Sequence, residues 1–129
     1  MRYFIGIVHK DPDSAYGIEF PDAPGCFSAA DDLDELLPNA SEALALWFED
    51  SPIVEPRDLE AIRRLPETEA AMASGAFLLA VPLIALTGRT VKANLTFDAG
   101  LLNAIDVAAK SRRMTRSAFI ADIVRREIA

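Results

Sequence analysis

The amino-acid sequence predicts an α+β protein in which an antiparallel sheet with packed helices precedes a smaller strand-helix-helix module. Short apolar runs broken by turn residues fill the first thirty positions, and apolar residues at helical spacing follow. Residues 1–88 hold 16 Asp/Glu and 5 Lys/Arg, a net charge of −11, whereas residues 89–129 hold 4 and 8, a net charge of +4. Because acidic segments favour basic partners and basic segments attract phosphate, the two parts are expected to bind different macromolecules.

Three short strands are predicted before residue 30. Residues 3–8 are mostly apolar, β-branched or aromatic, and residues 16–20 alternate with a period of two. Pro24 and Gly25 form a turn before a third run at residues 26–29. The short connections between these runs indicate antiparallel pairing.

One long helix, one short helix and a fourth strand complete the first part. Residues 31–49 carry apolar side chains at helical spacing, although Pro38 inside this run predicts a kink or a later start. Residues 58–65 indicate a short second helix, which Pro66 ends. Residues 77–83 predict a fourth strand, with its proline near the strand end or at a sheet edge.

The second part begins with a strand that has no partner in its own sequence. The change of charge sign places a linker at residues 84–88, between a domain at residues 1–83 and a domain at residues 89–129. Residues 90–97 alternate, and a helical pattern follows at once, so no hairpin can form. One face of this strand is apolar and the other is polar, the latter formed by Thr90, Lys92, Asn94 and Thr96.

Two amphipathic helices follow this strand. Residues 98–111 form the first, with Asp98 at its N-terminus, and Thr115 is a good N-cap for the second. A strand and two helices in about 40 residues bury too little surface to fold alone. Two copies that pair their strands and interlock four helices would share one core, so this module is predicted to form a homodimer or a higher oligomer.

The module resembles the ribbon-helix-helix family, whose pattern is matched by Val91–Phe97, by Leu101-Leu102 with Ile105-Asp106, and by Thr115–Ile120. The resemblance implies that a two-stranded ribbon enters the major groove of operator double-stranded DNA, where Lys92, Asn94 and Thr96 read base edges. Lys can donate to guanine and Asn can pair with adenine, so the chemistry agrees. The resemblance also places the start of the second helix, Thr115, Arg116 and Ser117, against a phosphate.

The first part resembles the HicB family of antitoxins through the run from Tyr16 to Ala29, which contains Phe-Pro-Asp-Ala-Pro-Gly-Cys, and through the acidic start of the following helix. The resemblance implies a partial RNase-H-like domain that binds and neutralises a small basic RNA-cleaving toxin of the HicA family. The tail would then autorepress the operon. Glu19 and Asp22, at the second strand, are the residues nominated for toxin contact.

No catalytic, metal or cofactor site is expected. The chain has one histidine, His9, and one cysteine, Cys26, and the first strand contains no acidic residue, which argues against a two-metal nuclease. Two alternatives stay open: a repressor whose first domain senses a small effector, and a metal-dependent nuclease. No run of the sequence is long and apolar enough to span a membrane, so a cytoplasmic protein is expected.

Overall fold

The structure is a computed structural model of the chain and describes residues 1–85 and 89–128. The chain divides into two compact units, Met1–Leu86 and Thr87–Ile128, and each is described by itself. The elements of the first unit are β1 (Arg2–Lys10), β2 (Tyr16–Glu19), β3 (Phe27–Ala30), α1 (Leu33–Trp47), α2 (Leu59–Arg63), α3 (Pro66–Ala73) and β4 (Phe77–Leu83). The elements of the second unit are α4 (Ala99–Ser111) and α5 (Arg116–Ile128).

The first unit is built on a four-stranded antiparallel sheet with the strand order β3-β2-β1-β4. This arrangement confirms the predicted α+β class and the four predicted strands. Pro82 lies in β4 opposite Tyr3 of β1, and β4 is an edge strand, so its proline sits where the sequence places it. An edge strand has a hydrogen-bonding neighbour on one side only. It tolerates a proline whose missing N–H would face the open side, because no hydrogen bond of the sheet is lost there.

Helix α1 covers one face of the sheet and forms the main core with it. Alternate residues of β1 point toward this helix, and Phe4 packs against Phe48 with the ring centroids 5.1 Å apart. Ser41 is buried in α1 and its hydroxyl donates to the Pro82 carbonyl at 2.8 Å, which ties the helix to β4. A Cβ at Gly6 would collide with the side chain of Ile18, which lies over this glycine and would have to move to admit any other residue.

Helix α1 begins at Leu33 and continues through Pro38, so the predicted later start is wrong. Pro38 removes one backbone hydrogen bond, but Leu36, Ala40 and Leu44 are all fully buried on the core face of this helix. Tertiary packing therefore outweighs the local cost of the proline.

The opposite face of the sheet is partly covered by α2 and α3. The prediction that Pro66 ends a helix is correct for α2, but Pro66 also begins α3, which the sequence reading missed. Proline is favoured in the first helical turn because its missing N–H would be unsatisfied there in any case. Ile62 and Thr68 of these helices are fully buried, and α3 contacts β1, whose Ile7 is fully buried on this face.

A tight turn joins β2 to β3 and is covered by the single tryptophan. Gly25 has φ +98°, a conformation that favours glycine. A Cβ at this position would lie 2.9 Å from the Trp47 ring. The end of α1 is therefore fitted closely over the turn.

The second unit has two helices and few buried residues. Asp98 caps α4 by accepting a hydrogen bond from Leu101 N at 3.1 Å, as predicted. Residues 89–97 belong to no helix or strand, so the predicted strand does not form in the single chain. A strand needs a hydrogen-bonding neighbour, and the described residues of this unit provide none.

Candidate nucleic-acid interface and partner-binding surface

The segment before α4 carries the three predicted base-reading residues on its surface. Lys92, Asn94 and Thr96 are all exposed. The apolar residues between them are exposed as well: Val91 retains 76% and Leu95 67% of its accessible surface. The alternation of the sequence thus leaves two uncovered rows, one polar and one apolar, and the base-reading role of the polar row stays a prediction.

The start of α5 has the geometry of a capped helix. Thr115 Oγ1 accepts a hydrogen bond from Ala118 N at 3.2 Å, and the Thr115 carbonyl accepts one from Phe119 N at 3.0 Å. This confirms the predicted N-cap. The backbone N–H groups of Arg116 and Ser117 lie in the first turn, where a helix provides no acceptor for them.

The side chain of Arg116 is held by Asp106 rather than left free. Its Nε and Nη2 donate to the two carboxylate oxygens of Asp106, each at 2.8 Å. The hydrogen bond from Arg116 holds the pKa of Asp106 below its usual value, and the same pair raises the pKa of Arg116. The pair uses two of the five N–H donors of the guanidinium, so a phosphate contact from this side chain has to use the remaining donors or compete with Asp106.

The turn between α4 and α5 contains two further arginines with different surroundings. Arg112 lies over the Phe119 ring, 5.3 Å from its centroid, and donates to the Ala108 carbonyl at 3.1 Å. Arg113 has φ +56°, a conformation that favours glycine, and closes the end of α4 with the paired backbone hydrogen bonds of a Schellman motif. The motif uses Arg113 N to Lys110 O at 3.0 Å and Met114 N to Ala109 O at 2.9 Å.

Most large apolar side chains of the second unit are uncovered. Only Ala109 and Phe119 are buried among its described residues. The exposed ones occur in the segment before α4 and on both helices, at Val91, Leu95, Leu101, Val107, Ile123, Val124 and Ile128. So much apolar surface on so small a unit is typical of a protein interface.

The first unit carries an acidic surface with few internal partners. No Lys or Arg occurs between Lys10 and Arg57, whereas this stretch contains 12 Asp and Glu residues. Among the described residues, Asp22 and Glu55 form ion pairs with arginines, and Glu19 lies 3.7 Å from the His9 imidazole. The other nine have no cationic side chain within ion-pair distance among those residues. This concentration of unpaired negative charge is the second candidate surface.

The two acids nominated for toxin contact have different environments. Asp22 is bound on both oxygens by Arg57, at 2.7 Å from the backbone N and 2.7 Å from Nε, and its side chain is only 11% exposed. This places Asp22 in a structural link between a turn and the segment before α2. Glu19 lies 3.7 Å from His9 Nε2 and is 44% exposed, so it is accessible.

The part of the chain that the structure describes has no metal-binding cluster, no exposed thiol and no membrane-spanning helix. The described residues contain no cluster of three or more His, Cys, Asp or Glu side chains placed to hold a metal ion. Cys26 is buried, and its burial raises the pKa of the thiol, which disfavours the reactive thiolate. None of their helices has the length and apolar character that a membrane span needs.

Comparison with known proteins gives matches over nearly the whole chain. The model of the HicB-like antitoxin family of bacterial toxin-antitoxin systems matches residues 3–124. An uncharacterised 14.9 kDa protein from the rep-hol intergenic region of Haemophilus phage HP1 is 31% identical over 118 residues, which is 86% of each chain.

Two solved structures resemble the fold. The crystal structure of the Burkholderia pseudomallei antitoxin HicB is 26% identical, covers 100% of both chains and superposes with a TM-score of 0.56. A chain from the complex of HicA3 and HicB3 is 24% identical and matches 64% of this chain and 98% of its own length, with a TM-score of 0.51. The similarity to this second structure concerns the fold alone.

Proposed function

The chain belongs to the HicB-like antitoxin family of bacterial toxin-antitoxin systems, and we propose that it neutralises a HicA-like RNA-cleaving toxin by binding it directly. Toxin binding is assigned to residues 1–83, which we interpret as a partial RNase-H-like domain. The observation that carries the proposal is the family match over residues 3–124. The complex of HicA3 with HicB3, which contains a chain of the same fold, supports the choice of partner.

The electrostatics of the first part are consistent with such a partner. Residues 1–88 have a net charge of −11, and a protein that binds and cleaves RNA is expected to carry a basic surface. Opposite charges speed encounter and select against wrong partners, whereas affinity depends on the packed contact.

The test of this proposal is rescue from toxicity. Expression of the small toxin gene adjacent to this gene should arrest growth, and co-expression of this chain should restore it. The two proteins should also co-purify. Growth arrest that this chain does not relieve, together with no complex between the purified proteins, would refute the antitoxin assignment.

For the second part we propose a ribbon-helix-helix module that forms a homodimer and binds operator DNA, so that the protein represses its own operon. Two copies would pair residues 90–97 into a ribbon, which would cover the apolar row at Val91 and Leu95 and leave Lys92, Asn94 and Thr96 on the groove side. The exposure of both rows supports this arrangement. The capped start of α5 supports a phosphate contact through the backbone N–H groups of Arg116 and Ser117.

DNA binding is tested by measuring the affinity for the protein's own promoter and for random DNA. Lys92→Ala and Asn94→Ala should each lose about 1–3 kcal/mol on the promoter and relax base preference. Arg116→Ala should weaken binding to both DNAs alike, because a phosphate contact or a shifted helix carries no sequence information. Equal losses on both DNAs for all three variants would contradict the base-reading roles.

A further inference from the structure

Part of the sheet face opposite α1 is uncovered. Side chains alternate across a strand, so Ile7, Glu19 and Phe27, which lie side by side on β1, β2 and β3, share this face. Ile7 is fully buried, whereas Phe27 retains 66% of its accessible surface. The cover from α2 and α3 therefore ends between β1 and β3.

The neighbouring row on the same face is equally open. His9, Gly17 and Ala29 lie side by side on the three strands, and Ala29 is exposed. A Cβ built on Gly17 would meet nothing within 4 Å, so the space above this residue is empty. We call Gly17, Glu19, Phe27 and Ala29 the open sheet face.

Unpaired acids lie at one end of the open sheet face. The register places Lys10 opposite Tyr16 and Tyr16 opposite Ala30, so the turn after β1 and the residues after β3 meet at the same end of the sheet. These segments contain Asp11, Asp13, Asp31 and Asp32, all of which are exposed. Among the described residues, no basic side chain forms an ion pair with any of the four.

The edge of β3 is less suitable for docking than the face. A peptide that added a fifth strand would need the backbone groups of this edge. The Ala29 carbonyl already accepts a hydrogen bond from Asn39 Nδ2 at 3.0 Å. A partner is therefore expected to pack onto the side chains of the face rather than to extend the sheet.

We propose that the open sheet face and the acidic end beside it form the surface that docks a basic protein, the toxin. This inference rests on the proposed antitoxin function and specifies which surface performs it. Phe27 supplies an apolar anchor, Glu19 lies beside it, and the four aspartates attract the basic partner. Charge complementarity selects this occupant, because a second copy of the acidic first unit would be repelled.

The test uses the full-length chain and the purified toxin encoded by the adjacent gene. Gly17→Arg adds a large basic side chain into empty space, and Phe27→Ser removes an exposed anchor, so neither should lower the melting temperature appreciably. Each should weaken toxin binding at least about tenfold in titration calorimetry. Asp31→Asn combined with Asp32→Asn should slow association and reduce its salt dependence.

Matched controls lie away from the open sheet face and its acidic end. Leu46→Ser removes an apolar side chain of α1 that is 58% exposed, and Glu127→Gln removes an exposed acid of α5, outside residues 1–83. Both should bind toxin as the unchanged protein does. Wild-type affinity in Gly17→Arg and Phe27→Ser, or a loss confined to the control variants, would overturn the proposed surface. If the unchanged protein itself fails to bind, the antitoxin function is refuted instead.

The same variants also test whether the open sheet face binds a second copy of this chain instead of the toxin. If Gly17→Arg abolishes self-association of the full chain in light scattering and leaves toxin affinity unchanged, the open sheet face is a contact between copies and the proposal is overturned. If toxin affinity falls and self-association is unchanged, the proposal is supported.

Discussion

The two units of this chain differ in how far their apolar residues are buried. In the first unit, Phe4, Val8, Leu36 and Leu44 are enclosed between the sheet and α1. In the second, Ala109 and Phe119 are the buried apolar residues among those described, although its helices are about as amphipathic in sequence as α1. The first unit therefore has the core of an independent domain, whereas the second exposes apolar surface of the kind that protein interfaces bury.

The units also differ in how their charges are used. Nine of the twelve acids between Lys10 and Arg57 have no cationic partner among the described residues, while two of the three arginines around the α4–α5 turn are engaged within their own unit. Acidic side chains without an ion-pair partner in their own unit are available to bind another molecule. Paired side chains instead help to fix the orientation of the helices that carry them. We therefore expect substitutions in the two units to differ in the property that they change as well as in the size of the effect.

The largest expected effect is the loss of a core aromatic residue in the first unit. Phe4→Ala should lower the free energy of unfolding by about 3–5 kcal/mol, because it leaves a cavity beside Phe48. Urea denaturation should give the same loss at low and high protein concentration. Tyr3→Ala is the control, since Tyr3 is 52% exposed, and it should cost far less. A loss that depends on protein concentration would mean that this core is shared between chains.

The next effect concerns the apolar row before α4. Leu95 is 67% exposed in the single chain, so Leu95→Ser would leave the free energy of unfolding of a monomer almost unchanged. In a dimer it removes buried apolar surface from both copies and should raise the dissociation constant about tenfold or more. Sedimentation equilibrium measures this change. Lys92→Ala, on the alternate row, should leave the dimer intact, and equal behaviour of the two variants would contradict the ribbon.

A smaller effect compares two turns of the same type. Helix α3 ends in a Schellman motif with Gly75 at φ +100°, and α4 ends in one with Arg113 at φ +56°. Gly75→Ala should lower stability by about 1 kcal/mol, whereas Arg113→Gly should raise that of the second unit by about 1 kcal/mol. Thermal unfolding measures both changes. If Arg113→Gly destabilises the protein, the arginine side chain makes a stabilising contact that offsets its backbone conformation.

The smallest expected effect is that of the exposed pair between α4 and α5. Because the pKa of Asp106 is lowered in the folded state, the pair stabilises the second unit above the ordinary carboxyl pKa, and this stability is lost as the pH falls through the lowered pKa. Asp106→Asn should reduce this pH dependence and slightly lower the melting temperature of the second unit. Glu127→Gln, an exposed acid on α5, should leave the pH dependence intact.

The same Asp106 pair distinguishes two roles for Arg116. If Arg116 only positions α5, Arg116→Gln should lower the melting temperature without changing the salt dependence of DNA binding. A direct phosphate contact would instead reduce the slope of log affinity against log salt by about 0.9 per contact. We expect the first result, because Asp106 already holds Nε and Nη2 of Arg116 and fixes the side chain between the two helices.

Much of the fold could be predicted from local patterns. The four strands, α1 and both helices of the second unit follow from periodicity, and the caps at Asp98 and Thr115 follow from residue type. Helix α3 was missed because Pro66 was interpreted only as a helix end. The later start predicted from Pro38 was wrong for a related reason: burial of the helix face is a tertiary effect that helix propensity does not contain.

The candidate sites were less predictable, because they depend on contacts between distant residues. Asp22 and Arg57 are 35 positions apart, and nothing local indicates that their side chains meet. The Arg116 pair joins two helices and engages Nε and Nη2 of a guanidinium that the sequence pattern offers to phosphate. Phe27 lies in an apolar strand, and only the incomplete cover from α2 and α3 reveals it as exposed.

The position of Trp47 provides an optical means of following the two units separately. It is the single tryptophan of the chain and lies over Gly25 at the end of α1, so its fluorescence reports the environment of the first unit. Far-ultraviolet circular dichroism, in contrast, records the helices of both units. Denaturation series measured at two protein concentrations should therefore give a shifted dichroism curve and an unchanged fluorescence curve. This difference separates the assembly transition from the folding transition of the first unit without an added label.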